Sequence, residues 1–193
     1  MHIILGSQSP RRREILGYFT LPFTQKPSDF NESSIPYQGN PSDYVCKIAE
    51  GKGTSLSNEF PDDVIVTSDT VVIFDEKVFG KPSDEDDALK MLMTLSGNWH
   101  EVYTGISVRK GSTVYSDFEV TRVLLNNMTQ RQIRAYQKRC HSIDKAAGYA
   151  IQREGSIIVK EIQGCYYNVM GLPINSLHTL LLKLGIDLWD YIV

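Results

Sequence analysis

The chain lacks any Cys-x-x-Cys pair, and its three cysteines, Cys46, Cys140 and Cys165, are scattered across 193 residues. An odd, widely spaced set argues against a disulfide framework or a zinc site and for reduced thiols in a cytoplasmic setting. A basic segment leading into a long apolar run is missing at the N-terminus, and no stretch approaches the roughly 20 apolar residues of a membrane span. Neither a leader nor a membrane partner is therefore expected. There is no surplus of positive charge either. Twenty Lys and Arg against 23 Asp and Glu leave a formal charge of −3, which argues against broad binding to nucleic acid or anionic membrane. Repeats, low-complexity tracts and obvious linkers are also absent. With 41% hydrophobic residues, the chain can bury a sizeable core as one domain or a closely packed pair of lobes.

Against that acidic background, residues 3–14 (IILGSQSPRRRE) stand out. An apolar strand runs through a polar bend into a helix start, with Ser9 as N-cap and Pro10 at the first helical position. Free backbone N–H groups, two hydroxyls and three guanidiniums then meet at one corner, a composition suited to phosphate. The same residues also read as an ordinary capped helix with a solvated arginine face.

Further along, Phe23–Gln25 reads as a short strand and residues 27–41 as a long polar loop containing Glu32, a metal or water ligand or simply a solvated carboxylate. Ser42 is the expected cap of a helix on which Val45, Ile48 and Ala49 form an apolar stripe that Lys52 continues. This lysine either snorkels or contacts phosphate. Val64–Phe74 is the strongest strand, rich in β-branched residues on both sides of Ser68-Asp69-Thr70. A carboxylate in such a strand needs a cation, a metal or a proton, which makes Asp69 the leading catalytic candidate. The other reading is an aspartate at a bulge.

Gly80-Lys81-Pro82 constrains Lys81, and Ser83 is the expected cap of a helix with Ala88, Met91, Leu92 and Leu95 inward. His100 reads as structural, ahead of a hairpin formed by strands at 102–108 and Val114–Leu125. Thr129 and Gln132 form a capping box. Residues 144–152 (DKAAGYAIQ) combine small residues with charge and with Gln152, whose amide can read a base edge. Ile157–Ile162 reads as a strand, Gly164–Leu172 as a connection, and Pro173 as the start of a last helix reaching Leu184.

In combination, Ser7-Gln8-Ser9-Pro10-Arg11-Arg12, Ser68-Asp69-Thr70, Gly80-Lys81-Pro82, Asp144-Lys145-Ala146, Gly148-Tyr149 and Gly171-Leu172-Pro173 resemble the Maf family of nucleoside triphosphate pyrophosphatases, in order and over nearly the whole chain. The resemblance implies an elongated α/β fold like that of inosine triphosphate pyrophosphatases, with a mixed sheet flanked by helices. It implies two closely packed lobes within one domain, 1–193, around a central cleft, and a homodimer. It also implies hydrolysis of a nucleoside triphosphate to the monophosphate and pyrophosphate with a divalent cation, magnesium, manganese or cobalt. Asp69 becomes the proton acceptor, Asp69 and Glu32 the metal residues, and Ser7, Arg11, Arg12, Lys52 and Lys81 the phosphate grip.

Arg11, Thr70 and Gln152 match positions that separate dTTP/UTP-type members from those acting on 7-methyl-GTP. Departures are His141 where many members have glutamate, Ala147 for a frequent glycine, and Cys165 for a frequent aspartate. A non-hydrolytic nucleotide-binding regulator of septum formation is the alternative. Such a sensor has no need of Asp69 and Glu32.

Overall fold

The computed structural model describes residues 2–140 and 142–192, so the expectation attached to His141 lies outside the described residues. Strand β1 (Ile3–Leu5) is wholly buried and leads to helix α1 (Pro10–Leu16), where Ser9 Oγ accepts from the Arg12 N–H at 3.4 Å. Strand β2 (Phe23–Gln25) follows, and then the loop, which holds one 3-10 turn at Glu32–Ser34. Helix α2 (Pro41–Leu56) is capped by Asn40 rather than Ser42. Asn40 Oδ1 accepts from the Asp43 N–H at 3.2 Å, and the Ser42 hydroxyl donates to the same oxygen at 2.8 Å. Proline at the first helical position moves the cap one residue ahead of it.

Strand β3 (Val64–Phe74) runs unbroken through Ser68-Asp69-Thr70. A two-residue turn, Asp75 and Glu76, both at positive φ, joins it to antiparallel β4 (Lys77–Phe79). Helix α3 (Glu85–Leu95) takes Asp84 as cap, not Ser83, since Asp84 Oδ1 receives the Asp87 N–H at 2.8 Å. Its buried stripe is Ala88, Leu89, Leu92 and Leu95, with Met91 only half-buried. The long strands β5 (Trp99–Lys110) and β6 (Thr113–Leu125) come next. Helix α4 (Gln130–Gln137) carries both halves of the Thr129–Gln132 capping box. Strand β7 is Val159–Gln163, because Ile157 belongs to a preceding 3-10 turn, and residues 166–170 of the expected connection form helix α5 (Tyr166–Met170). Helix α6 (Ile174–Leu182) starts after Pro173 and stops before Leu184.

The seven strands form one mixed sheet in the order β2-β1-β3-β5-β6-β7, with β4 attached to β3. Pairing of β1 with β2 and with β3 is parallel, and β6 with β7 is antiparallel. The chain divides into two compact units. Met1–Asp69, Thr104–Glu119 and Gly171–Val193 make the first, and Thr70–Tyr103 with Val120–Met170 make the second.

In the first unit, α2 lies against β5 so closely that a Cβ on Gly105 would stand 2.4 Å from the Val45 carbonyl carbon. The Thr67 hydroxyl adds a 2.6 Å bond to the Ala49 carbonyl. The second unit has its own apolar cluster, in which Leu92, Leu95, Val123, Leu125 and Ile133 are fully excluded from solvent.

Candidate active site

In the first unit, the bend after β1 is held from several sides. Ser7 is 6% exposed, and its Oγ accepts from the Ser9 N–H at 3.1 Å and from Arg12 Nη1 at 3.3 Å. Gln25 Nε2 donates to the carbonyls of Ser7 at 2.8 Å and Ser9 at 3.2 Å. Arg12 Nε donates to the Gly171 carbonyl at 2.8 Å, and the Ser68 hydroxyl donates to the same oxygen at 3.1 Å. Gly171 has φ +101°, a conformation in which a side chain would be strained, and its carbonyl thereby serves the α1 corner and β3 together. Burial lowers Arg12 from its ordinary value and the charge on Arg11 acts the same way, while Asp69 and Glu32 oppose both. The guanidinium remains charged at any physiological pH.

Three turns into α2, the apolar stripe delivers Lys52 to the sheet. Its ammonium, on a residue 8% exposed, donates to Asp69 Oδ1 at 2.7 Å and to the Ser68 carbonyl at 3.5 Å, and pairs with Glu32 Oε1 at 2.8 Å. Asp69 is itself only 8% exposed. Three acceptors for three N–H donors explain how these charges are tolerated away from water. Tyr44, also on α2, belongs to the same electrostatic neighbourhood. Burial raises its phenol above the ordinary value, and Asp69 and then Glu32 raise it further.

The structure thus brings Ser7 and Arg12 together at one corner, and Glu32, Lys52 and Asp69 in one ion-pair cluster. Arg11 is half-buried on α1. In the second unit, Thr70 continues β3, Lys81 is exposed in the loop before α3, and Gln152 is half-buried ahead of a 3-10 turn. The Gln152 Oε1 is buried without a hydrogen-bond partner among the described residues. Gln25 and the Gly171 carbonyl escape a reading of the sequence, one being a polar residue in a short strand and the other a backbone atom. Gly171-Leu172-Pro173 was visible only as a motif.

Residues 2–184 match the family model for Maf-like proteins. A dTTP/UTP pyrophosphatase of Chlamydia caviae is 45% identical over 192 residues, which cover 99% of this chain and 98% of that protein. A dTTP/UTP pyrophosphatase of Clostridium botulinum, strain Kyoto, is 43% identical over 192 residues, covering 97% of this chain and 99% of that protein. Among solved structures, a HAM1 protein from Coxiella burnetii superposes with a TM-score of 0.52 at 15% identity, covering 95% of this chain and 99% of that one, a likeness of fold alone. The chain belongs to the Maf family.

Proposed function

We propose that the protein is a nucleoside triphosphate pyrophosphatase that hydrolyses dTTP and UTP to the monophosphate and pyrophosphate with the help of a divalent cation. The observation that carries this reading is the Lys52 ammonium held between Asp69 and Glu32 at 2.7 and 2.8 Å. A protein that only sensed nucleotides would gain nothing from burying a carboxylate in its sheet, since removing charge from water is costly unless the charge is used.

In the proposed reaction a water oxygen attacks the α-phosphorus, the bond to the bridging oxygen of the β-phosphate breaks, and pyrophosphate leaves. Asp69 orients the water and accepts its proton, with Glu32 assisting. Lys52 holds both carboxylates in place and screens the incoming phosphates. Ser7, Arg11 and Arg12 bind phosphate oxygens from α1 and the bend before it, which Gln25 and Gly171 hold rigid before substrate arrives.

Asp69 and Glu32 also fit a divalent cation. Both direct a carboxylate oxygen at one positive centre, hard donors of the type magnesium takes in ones and twos alongside substrate phosphates. Among the described residues there is no group of three or more His, Cys, Asp or Glu that would make a protein-only cage. When bound, the cation supplies neutralisation of triphosphate charge.

Lys81 is assigned to phosphate, and Thr70 and Gln152 to the base. The buried, unpartnered Oε1 of Gln152 supports the latter, because an amide offers both acceptor and donor to a pyrimidine edge. Absence of acidic residues at these positions disfavours a cationic methylated purine.

The test is incubation with dTTP, UTP and 7-methyl-GTP in magnesium, manganese or cobalt, with products separated by chromatography. Pyrophosphate and monophosphate are expected, and orthophosphate with a diphosphate would overturn the reaction. Gln152→Glu should shrink the dTTP to 7-methyl-GTP ratio of kcat/KM by roughly tenfold or more, the effect of one lost buried pairing. An unchanged ratio removes Gln152 from base selection.

A further inference from the structure

Helix α2 carries Gly51 in its interior, where alanine has the better intrinsic preference. The reason is a side chain from another segment. A Cβ at position 51 would lie 2.4 Å from Cζ, 2.5 Å from Cε2 and 2.8 Å from Cε1 of Phe30, so the aromatic ring rests directly on bare helix backbone. Phe30 belongs to the loop that carries Glu32.

It is the second of three contacts along that loop. Ser28 Oγ lies 2.9 Å from Ser55 Oγ and also accepts from the Phe30 N–H at 3.1 Å. The third contact is Glu32 on Lys52. Residues 28, 30 and 32 alternate as in an extended segment, while Ser55 and Gly51 stand four residues apart on one helix face. Past this strap, Asn31 Oδ1 accepts from the Ser33 N–H at 3.2 Å and from the Ser33 hydroxyl at 2.7 Å, fixing the turn from which Glu32 projects.

The Glu32 side chain is 50% exposed, and an ion pair that open to solvent holds a loop only weakly. The serine pair is also at the surface. The aromatic seat is the contact that removes apolar surface from water, and it leaves no room for even one methyl group.

We propose that Phe30, seated on Gly51, is the positioning device that keeps Glu32 on Lys52 and so completes the pair of carboxylates. This rests on the functional reading of Glu32 given above. Neither Phe30 nor Gly51 touches the reacting atoms. They act by setting the reach of the loop.

The experiment compares wild type, Gly51→Ala, Glu32→Gln and the double variant by amide hydrogen exchange over residues 28–34, thermal midpoint, and kcat/KM for dTTP across magnesium concentrations. Alanine should favour the helix, so the thermal midpoint is expected to hold. Exchange at 28–34 should accelerate, and kcat/KM should fall roughly tenfold with a higher magnesium requirement, in keeping with the cost of sub-ångström to ångström misplacement. In the Glu32→Gln background, the same substitution should cause no further loss of activity.

Unchanged exchange in Gly51→Ala overturns the proposal, as does a full additional loss of activity on Glu32→Gln. Should Gly51→Ala fail to fold, Phe30→Ala replaces it with the same expected outcomes. If Glu32→Gln alone retains wild-type kcat/KM, the functional reading of Glu32 fails, while hydrogen exchange still decides whether the ring holds the loop.

Discussion

Among the described residues, the buried polar residues of the first unit include an ammonium and a carboxylate paired with each other, Lys52 and Asp69, whereas those of the second are neutral, His100, Thr121, Gln137 and Asn168, and the Lys145 ammonium there pairs with the exposed Asp144. Members of the neutral set bond within their own unit. His100 Nε2 meets the Tyr149 hydroxyl at 2.6 Å with the rings edge to face, and Asn168 Nδ2 donates to the Val102 carbonyl and Thr121 Oγ1, both at 2.9 Å. Burial pushes His100 down to about 4, against an opposing backbone hydrogen bond at Asn98, and pushes the Tyr149 phenol up. Both are uncharged near neutrality. Buried neutral pairs fix how a core packs, while buried charges cost more and point to chemistry.

The largest expected effect of breaking this contrast is on the charged side. Asp69→Asn should lower kcat by about 10²–10⁴-fold, the usual contribution of a positioned base, with nucleotide affinity largely retained because Ser7, Arg12 and Lys52 remain. Pyrophosphate release and calorimetric binding measure the two parts. Near-normal turnover would make Asp69 a structural residue and erase the distinction between the units.

On the neutral side the sign runs with acid. The His100 pKa is lower in the folded state than its ordinary value of 6.5, so the stability linked to it is complete above pH 6.5. It is lost as pH falls from there through about 4, amounting to about 3 kcal/mol in all. Urea unfolding of wild type and His100→Gln between pH 7 and pH 4 should show that extra loss in the wild type only. Parallel curves would refute it.

The smallest effect sharpens the comparison at Ala147, buried in the second unit with φ +53°. Relief of left-handed strain, about 1–2 kcal/mol, opposes loss of one buried methyl and the added freedom of an unfolded glycine. Ala147→Gly should therefore unfold within about 0.5 kcal/mol of wild type. A loss several times larger would mean that the methyl contact dominates.

Legibility in the sequence followed the range of the interaction. Val64–Phe74 and the Thr129–Gln132 box were readable to the residue because β-branched runs and caps are local. Where two cap formers stand close together, as Asn40 with Ser42 or Ser83 with Asp84, local preference did not decide, and the amide oxygen of Asn40 and the carboxylate of Asp84 took the free N–H. Lys52 was marked by its place on an apolar stripe, and its partner Asp69 by the oddity of a carboxylate in a buried strand. Glu32 looked like any loop carboxylate. What locates it is a fold-dependent contact, as is the Arg12 bond to a carbonyl 159 residues away.

Gly51 and Gly105 have different futures under mutation. At Gly51 the obstacle is a side chain, so a substitution there has a possible suppressor at position 30, and the pair can drift together through a lineage. At Gly105 a Cβ would meet main-chain atoms, the carbonyl carbon and oxygen of Val45 at 2.4 and 2.5 Å and the Cys46 nitrogen at 2.6 Å. Main chain is present whatever residue stands at 45 or 46. No exchange of side chain at either position creates the missing space, and Gly105 is therefore a site at which a lost glycine can be regained only by direct reversion.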